Sequence, residues 1–342
     1  MKKLIRPFSL ILSLLLLLQL KPFAQDERND NRNENHNDNK KKYEFVKKKS
    51  VNKSYNVSSS DKLKIQNSFG SVEVRTWDKN EIKVDVEIEV TANTEAVAQR
   101  NIDRISVTDE KSGGVVSFKT NMKDINNSKS EKSTMNINYT IFMPSNNPLS
   151  VTNEFGPTTI PDFKGEVELN SKFGSLTTGN LSNIKAINVE FGQANLANIN
   201  SAPVNIKFSK AVVSKLSGNV KLNLEFCSNV RLSLDNNLSS LDLKTSYSTV
   251  NLKPLGSLHA TYTISTSFGS FKNTSDVKFT SEVDNDDDHG PKFDNEYSGK
   301  SGSGNIPVKV KSSFGKIIVG EATEEDMKSK DKNKSKNKPR TS

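Results

Sequence analysis

Residues able to do chemistry are few in this chain, and their spacing does not suit catalysis. The three histidines, His36, His259 and His289, lie far apart, and no two of them have the spacing of metal ligands. The single cysteine, Cys227, can form neither a thiolate cluster nor an internal disulfide. Neither a phosphate-binding loop nor a nucleophile elbow is present. The sequence therefore predicts a protein that is not an enzyme and that uses no cofactor and no metal.

One acidic run is a candidate cation site. The sequence from 284 to 289 reads DNDDDH, so four carboxylates, Asp284, Asp286, Asp287 and Asp288, precede His289 within six residues. Clustered carboxylates suit calcium, which takes several oxygen ligands in a flexible geometry. The run lacks the glycine and the terminal glutamate of the usual calcium-binding loop. The sequence favours a solvated acidic loop and leaves open whether Asp284 to His289 binds a cation.

The other candidates for ligand binding are aromatic residues that recur beside a small residue. Each stands between two runs of alternating apolar residues. Such rings could stack against sugars, but side chains that recur at one place in every repeat are expected inside a stack, so the sequence favours core packing. The positions are Phe69 with Gly70, Phe155 with Gly156, Phe173 with Gly174, Phe191 with Gly192, Phe268 with Gly269 and Phe314 with Gly315, together with Phe208, Phe226 and Tyr247.

The residue after the aromatic is small in every copy. It is glycine in six copies and Ser209, Cys227 or Ser248 in the others. Serine and cysteine are uncommon where the backbone needs positive φ. This position is therefore predicted to require a small side chain rather than a special backbone angle, and Cys227 is predicted to be a buried small side chain.

The spacing of the aromatics predicts how the strands are arranged. From Phe155 to Phe268 they are separated by 18, 18, 17, 18, 21 and 21 residues. Each period contains strand-like alternation before the aromatic, as at Val167 and Leu169, and a second strand after it. A repeat of this size cannot close a core by itself, so its apolar face must be covered by neighbouring repeats.

These patterns predict an all-β fold, a parallel β-solenoid (β-helix-like) of about nine strand-turn-strand repeats. The alternative is a meander or sandwich of antiparallel hairpins, which is less favoured because Phe is poor at the positive φ of a two-residue hairpin loop. One short helix near the N-terminal end is predicted within 94–105, where Ala98, Ile102 and Ile105 share a face. Residues 283–304 are predicted to form a long exposed loop.

The two ends of the chain differ from the repeats. Residues 1–24 combine a cationic start with an apolar run shorter than the roughly 20 residues of a spanning helix, which favours a signal peptide cleaved near Ala24 over an uncleaved anchor. Residues 25–55 are predicted to be a polar flexible leader, 56–320 the β-repeat domain, and 321–342 a charged disordered tail. The net charge of +9 becomes +5 when the four signal-peptide cations are removed.

Residues of about 60 to 320 resemble a bacterial family of putative adhesin domains made of β-strand repeats. The resemblance is carried by LKIQNSFGSVEVRTWDKNEIKVDV, in which the first Phe-Gly copy leads into Thr76, Trp77 and Asp78, and by the later copies as far as VKVKSSFGKIIVG. It implies an exported β-solenoid with an adhesin role and no catalytic residues.

Export, repeats and the lack of a catalytic set together predict a non-catalytic scaffold of the cell envelope, an adhesin or a surface- or glycan-binding protein. Its partner is an unidentified envelope or surface ligand, either glycan or protein. Nucleic acid is disfavoured because the chain is exported, and the basic stretch 328–340 offers peripheral membrane contact. A regulatory or signalling envelope protein acting on a membrane partner, and less so a polysaccharide lyase, remain alternatives. The sequence leaves open a periplasmic, outer-surface or secreted location.

Overall fold

The computed structural model describes residues 44–124, 127–282 and 294–328, and these residues are predominantly β-strand. The first part contains β1 (Phe45–Asn56), β2 (Lys62–Ser68), β3 (Val72–Thr76), β4 (Glu81–Ala92), α1 (Glu95–Asp103), β5 (Ile105–Ser112), β6 (Val115–Met122) and β7 (Ser133–Met143). The middle contains β8 (Leu149–Glu154), β9 (Thr158–Ile160), β10 (Phe163–Lys172), β11 (Ser175–Thr178), β12 (Leu181–Glu190), β13 (Gln193–Leu196), β14 (Ile199–Asn200), β15 (Pro203–Lys207) and β16 (Lys210–Glu225).

The last part contains β17 (Val230–Ser246), β18 (Thr249–Pro254), β19 (Ala260–Ser267), β20 (Ser270–Thr274), β21 (Phe279–Glu282), β22 (Asp294–Lys300), β23 (Ile306–Ser313), β24 (Lys316–Gly320) and α2 (Glu324–Met327). The predicted all-β class is confirmed. No helix within the described ranges is long and apolar enough to cross a membrane.

Strands of successive repeats pair in parallel and in register. Leu169 of β10 lies beside Val151 of β8 on one side and Ile187 of β12 on the other, and all three side chains are buried. The strands that follow the aromatics pair in the same way, as Leu176 of β11 does with Ala194 of β13. Because side chains alternate along a strand, each repeat adds one inward layer of Val, Leu or Ile to a common core. Full burial of one such side chain contributes about 1.5–3 kcal/mol.

The sheet is mixed, which corrects the expectation of a purely parallel solenoid. The β4 strand pairs antiparallel with β1 and β7, β5 pairs antiparallel with β6, and β22 pairs antiparallel with β19 and β21. At one end the parallel ladders run from β3 to β7 and from β2 to β6, and the antiparallel strands β4 and β5 then follow; at the other end β22 follows β19. An antiparallel neighbour needs only a short turn, whereas a parallel neighbour needs a whole crossover, so hairpins can cover the exposed edge of a terminal strand.

The last two repeats do not stack in chain order. The β23 strand lies between β17 and β19, and β24 lies between β18 and β20, so the final repeat is inserted before the one that precedes it in sequence. The difference in apolar content between the two strands accounts for this order. The β24 strand carries Ile317, Ile318 and Val319, which are fully buried at the inner place, whereas the more polar β20 is mostly exposed at the outer place.

Three segments differ from the sequence expectation. Residues 324–327, predicted to belong to a charged disordered tail, form α2, in which Met327 is buried. Residues 45–55, predicted to belong to a flexible leader, form most of β1, because the whole strand pairs with β4 and its Val51 and Tyr55 pack partly on the core. Residues 294–300, predicted to belong to an exposed loop, form β22. The predicted signal peptide at 1–24, the acidic run Asp284 to His289 and the tail beyond residue 328 lie outside the described residues.

The short helix predicted within 94–105 is present as α1. Thr94 is its N-cap, and the Thr94 side chain accepts a hydrogen bond from the backbone N–H of Val97. Ala98 and Ile102 are buried as their spacing indicated, while Ile105 begins β5 instead of continuing the helix.

Candidate binding surface

The recurring aromatics adopt a left-handed backbone conformation. All nine have φ between 49° and 64°. For a residue with a Cβ this conformation costs roughly 1–2 kcal/mol, so its repetition indicates that the stacked strands impose it. The sequence favoured the solenoid partly because Phe is poor at positive φ, and it considered positive φ otherwise only at the following small residue. The structure places positive φ at the aromatic itself, so that argument against hairpins was wrong. Only the regular recurrence of one bend could have signalled this.

The small residue after the aromatic is explained by close backbone contact. A Cβ added to Gly192 would lie 1.8 Å from the carbonyl oxygen of Gly174, and one added to Gly174 would lie 2.0 Å from that of Gly156. Neither glycine has a positive φ. The requirement there is for space, as the serine and cysteine copies indicated. In a serine copy the side chain also forms a hydrogen bond to the neighbouring repeat, since Ser209 Oγ accepts from the backbone N–H of Gly192 at 3.0 Å.

The aromatic rings form one continuous external row, called here the ring row. Neighbouring ring centroids are 4.8–5.0 Å apart and neighbouring planes lie within 9° of parallel. The sequence expectation of core packing is wrong, because eight of the rings are 43–53% exposed. A left-handed residue interrupts the alternation of the strand, so the ring turns outward while the next strand resumes facing inward. In order, the ring row is Phe69, Phe155, Phe173, Phe191, Phe208, Phe226, Tyr247, Phe314 and Phe268.

The ring row presents edges rather than faces to its surroundings. Each internal ring has a neighbour stacked on both faces, and each stacked pair contributes about 0.5–1.5 kcal/mol beyond the area it buries. The exposed edges carry the positive part of the aromatic quadrupole. A ligand along the ring row would therefore meet an apolar strip of ring edges that favours oxygen acceptors.

Two shallow hollows, together called here the groove, lie beside the ring row. The one in the middle of the molecule has a volume of about 520 Å³ and is lined by Phe173, Phe191 and Phe208 and by Gly174 and Gly192. The one at the last repeats has a volume of about 1490 Å³, and residues of α2 form part of its wall. The small residues required by backbone contact thus also line the groove.

The α2 wall is fixed to the sheet by charge. The Asp326 carboxylate accepts hydrogen bonds from Lys272 Nζ at 2.6 Å and from Lys316 Nζ at 3.5 Å. The bond from Lys272, together with those from Thr323, holds the pKa of Asp326 well below its usual value. Thr323 and Asp326 also form a reciprocal capping box at the start of this helical turn.

At the residues directly before the middle rings, the charges alternate and compensate one another. The residues directly before four successive aromatics are Lys172, Glu190, Lys207 and Glu225. Lys172 Nζ lies 3.5 Å from Glu190 Oε2, and Lys207 Nζ lies 3.1 Å from Glu225 Oε1. Hydrogen bonds from Asn223 and Lys207 lower the pKa of Glu225. This part of the face has little net charge for a ligand to use.

Catalytic or metal-binding geometry is not found where the structure describes the chain. No group of three or more His, Cys, Asp or Glu side chains in these residues could hold a metal ion. His259 is exposed, and its Nδ1 lies 3.0 Å from Ser303 Oγ. The ring of Trp77 packs 5.4 Å from that of Phe142, and its Nε1 donates to the Glu81 carbonyl.

Cys227 is expected to be chemically inert in the folded protein. Its side chain is only 2% exposed, and burial raises the pKa of its thiol, so the reactive thiolate is disfavoured. At neutral pH we expect a disulfide-exchange reagent to label the native protein at least about a hundredfold more slowly than the urea-unfolded protein. Equally rapid labelling of both states would contradict the buried position.

No family model matches this sequence, and no curated protein is significantly similar to it. Similar solved structures include a "putative adhesin" of Bacteroides fragilis, with 12% identity, 79% of this chain and 97% of that chain covered, and a TM-score of 0.37. A "putative cell adhesion protein" of Clostridium sporogenes has 13% identity, coverage of 81% and 100%, and a TM-score of 0.22. A "putative adhesin" of Parabacteroides merdae has 10% identity, coverage of 80% and 97%, and a TM-score of 0.29. These descriptions agree with the resemblance found in the sequence.

Proposed function

We propose that this chain is an exported, non-catalytic β-solenoid of the cell envelope that binds an extended surface ligand, a glycan polymer, along the ring row and its groove. The observation that carries the proposal is the ring row itself. Single exposed apolar residues need no explanation, but a contiguous apolar strip rimmed by polar residues is typical of an interaction site.

The length and regularity of the ring row favour a polymer over a small molecule. Its eight ring spacings of 4.8–5.0 Å give a strip roughly 40 Å long. Each repeat presents the same elements to the ligand, namely a ring edge, a small residue in the groove and a polar side chain. A ligand with its own repeat can use several of these weak contacts at once, which raises affinity through effective concentration.

The absence of a catalytic arrangement in the described residues favours binding over cleavage. The carboxylates nearest the middle rings, Glu190 and Glu225, are engaged by Lys172 and Lys207. A general acid for glycoside cleavage needs a raised pKa, whereas the pKa of Glu225 is lowered. We therefore propose an adhesin-like role rather than that of a polysaccharide lyase.

The proposal predicts saturable binding to immobilised envelope polysaccharides that strengthens with ligand length. The protein from residue 25 to 342 would be titrated with oligosaccharides of increasing length and with the parent polymer. Affinity should rise steeply until the ligand spans several rings and then level off, because added units no longer meet new contacts. Binding that is independent of length, or no binding to any polymer, would contradict the proposal.

A further inference from the structure

We infer that the ligand is an acidic polysaccharide, and that its carboxylate or sulfate groups are held by Lys244 and Lys311 beside Tyr247 and Phe314. This inference rests on the proposed function and specifies the ligand class for the last repeats of the same face. The charge of these repeats differs from that of the middle of the molecule.

The last repeats place like charges side by side. Lys244 of β17 and Lys311 of β23 are directly opposite in register on adjacent parallel strands, and both side chains are exposed. Adjacent strands lie about 4.8 Å apart, and like charges directly opposite each other destabilise a sheet. In the middle repeats the corresponding positions are the uncharged Asn188 and Asn205, joined by a side-chain hydrogen bond of 2.9 Å.

Two further cations extend this patch. Lys221 and Lys309 flank Asp242 in register, so the five side chains together carry a net charge of +3. Within the described ranges, none of the four lysines takes part in an ion pair. The carboxylate of Asp242 therefore does not neutralise the patch as Glu190 and Glu225 neutralise theirs. Beyond β19 the patch ends at Glu296, which is in register with Ser265.

The patch is continuous with the ring row. Two residues after Lys244 and Lys311 come Ser246 and Ser313, which are in register with each other and precede Tyr247 and Phe314. These positions hold lysine or glutamate in the middle repeats. Small hydroxyl side chains leave a ligand in simultaneous reach of the lysine ammonium groups and the ring edges, and they can hydrogen-bond its hydroxyl groups.

A polymer of uronic acids or sulfated sugars has the chemistry that fits this surface. Its regularly spaced anions would relieve the repulsion between Lys244 and Lys311, and its sugar hydroxyls would meet the serine hydroxyls and ring edges. Because the contacts are exposed, added salt should weaken them. A neutral polysaccharide would use the ring row but gain nothing from the lysines.

The test uses polygalacturonate and its fully methyl-esterified form, which differ in charge but share one backbone. The protein from residue 25 to 342 should bind the acid form more tightly, and the K244Q/K311Q variant should bind it on the order of tenfold more weakly while its affinity for the ester is unchanged. The matched control is K129Q/K132Q, which removes the same charge from two exposed lysines in the turn before β7, in no ion pair with any described residue and outside the ring row, and which should have a much smaller effect.

The outcomes separate this inference from the function on which it rests. Equal binding of the two polymers would overturn the acidic ligand, and equal losses in K244Q/K311Q and K129Q/K132Q would overturn its attachment at Lys244 and Lys311; both outcomes leave polymer binding standing. Binding of neither polymer by the wild-type protein would overturn both. Unfolding of a variant is not expected, since these lysines are exposed, and circular dichroism would verify this.

Discussion

Replacing Gly192 with alanine is expected to destabilise the folded protein by about 2–3 kcal/mol, in the upper part of the range of ordinary overpacking costs. The added Cβ would lie 1.8 Å from the carbonyl oxygen of Gly174 and 2.9 Å from its carbonyl carbon, and both atoms belong to backbone that is held by strand pairing on either side. A flexible side chain could move away, whereas these backbone atoms can do so only by a shift of the bend itself. The copies with Ser209, Cys227 and Ser248 carry a Cβ at this place while their rings stay 4.8–4.9 Å apart, so a local shift is enough and the repeats need not separate. Thermal unfolding followed by circular dichroism would measure the loss, which should lower Tm by roughly 4–12 °C for a domain of this size.

The matched control for this substitution is Gly113→Ala. Gly113 has a φ of +56°, and a Cβ there would meet no atom within 4 Å. Its replacement therefore tests only backbone strain, which costs roughly 1–2 kcal/mol. If the melting curve of the Gly192 variant coincided with that of the wild type, the close stacking of the glycines would be refuted.

Replacing Phe173, Phe191 and Phe208 together with asparagine is expected to reduce polymer binding by on the order of a hundredfold or more while leaving the fold intact. Asparagine tolerates the left-handed conformation that these positions adopt, and the rings are 43–47% exposed, so their loss opens no cavity in the core. The cost to stability is the stacking lost between rings, about 0.5–1.5 kcal/mol for each contact. Binding would be measured by titration with the longest polymer that binds the wild type.

The control for the ring variant is the corresponding triple replacement with tyrosine. Tyrosine already occupies the ring row at position 247, where it stacks 4.8 Å from both neighbours. This variant should keep both the fold and the binding. If the asparagine variant folded and bound as well as the wild type, the ring row would be a structural stack only, and the proposed function would be wrong.

The sequence determined the inward-facing layers well. Alternation at Val167 and Leu169 identified β10, and the period of about 18 residues predicted that each repeat is covered by the next, because both signals come directly from local backbone geometry. The small residue after each aromatic was also explained correctly by space, since Ser209 and Cys227 exclude a strict need for positive φ. The helix α1 was identified because its apolar residues follow a helical period.

Three features could be decided only by the tertiary structure. The rings lie outside because a left-handed residue interrupts the alternation, and a sequence pattern cannot show where that interruption occurs. The ring of the final repeat, Phe314, lies between Tyr247 and Phe268 and so out of chain order. This place buries the apolar side chains Ile317 and Val319. The positive patch on the surface is also decided by the tertiary structure. Lys244 and Lys311 are 67 residues apart in sequence, and only the register between β17 and β23 makes them neighbours.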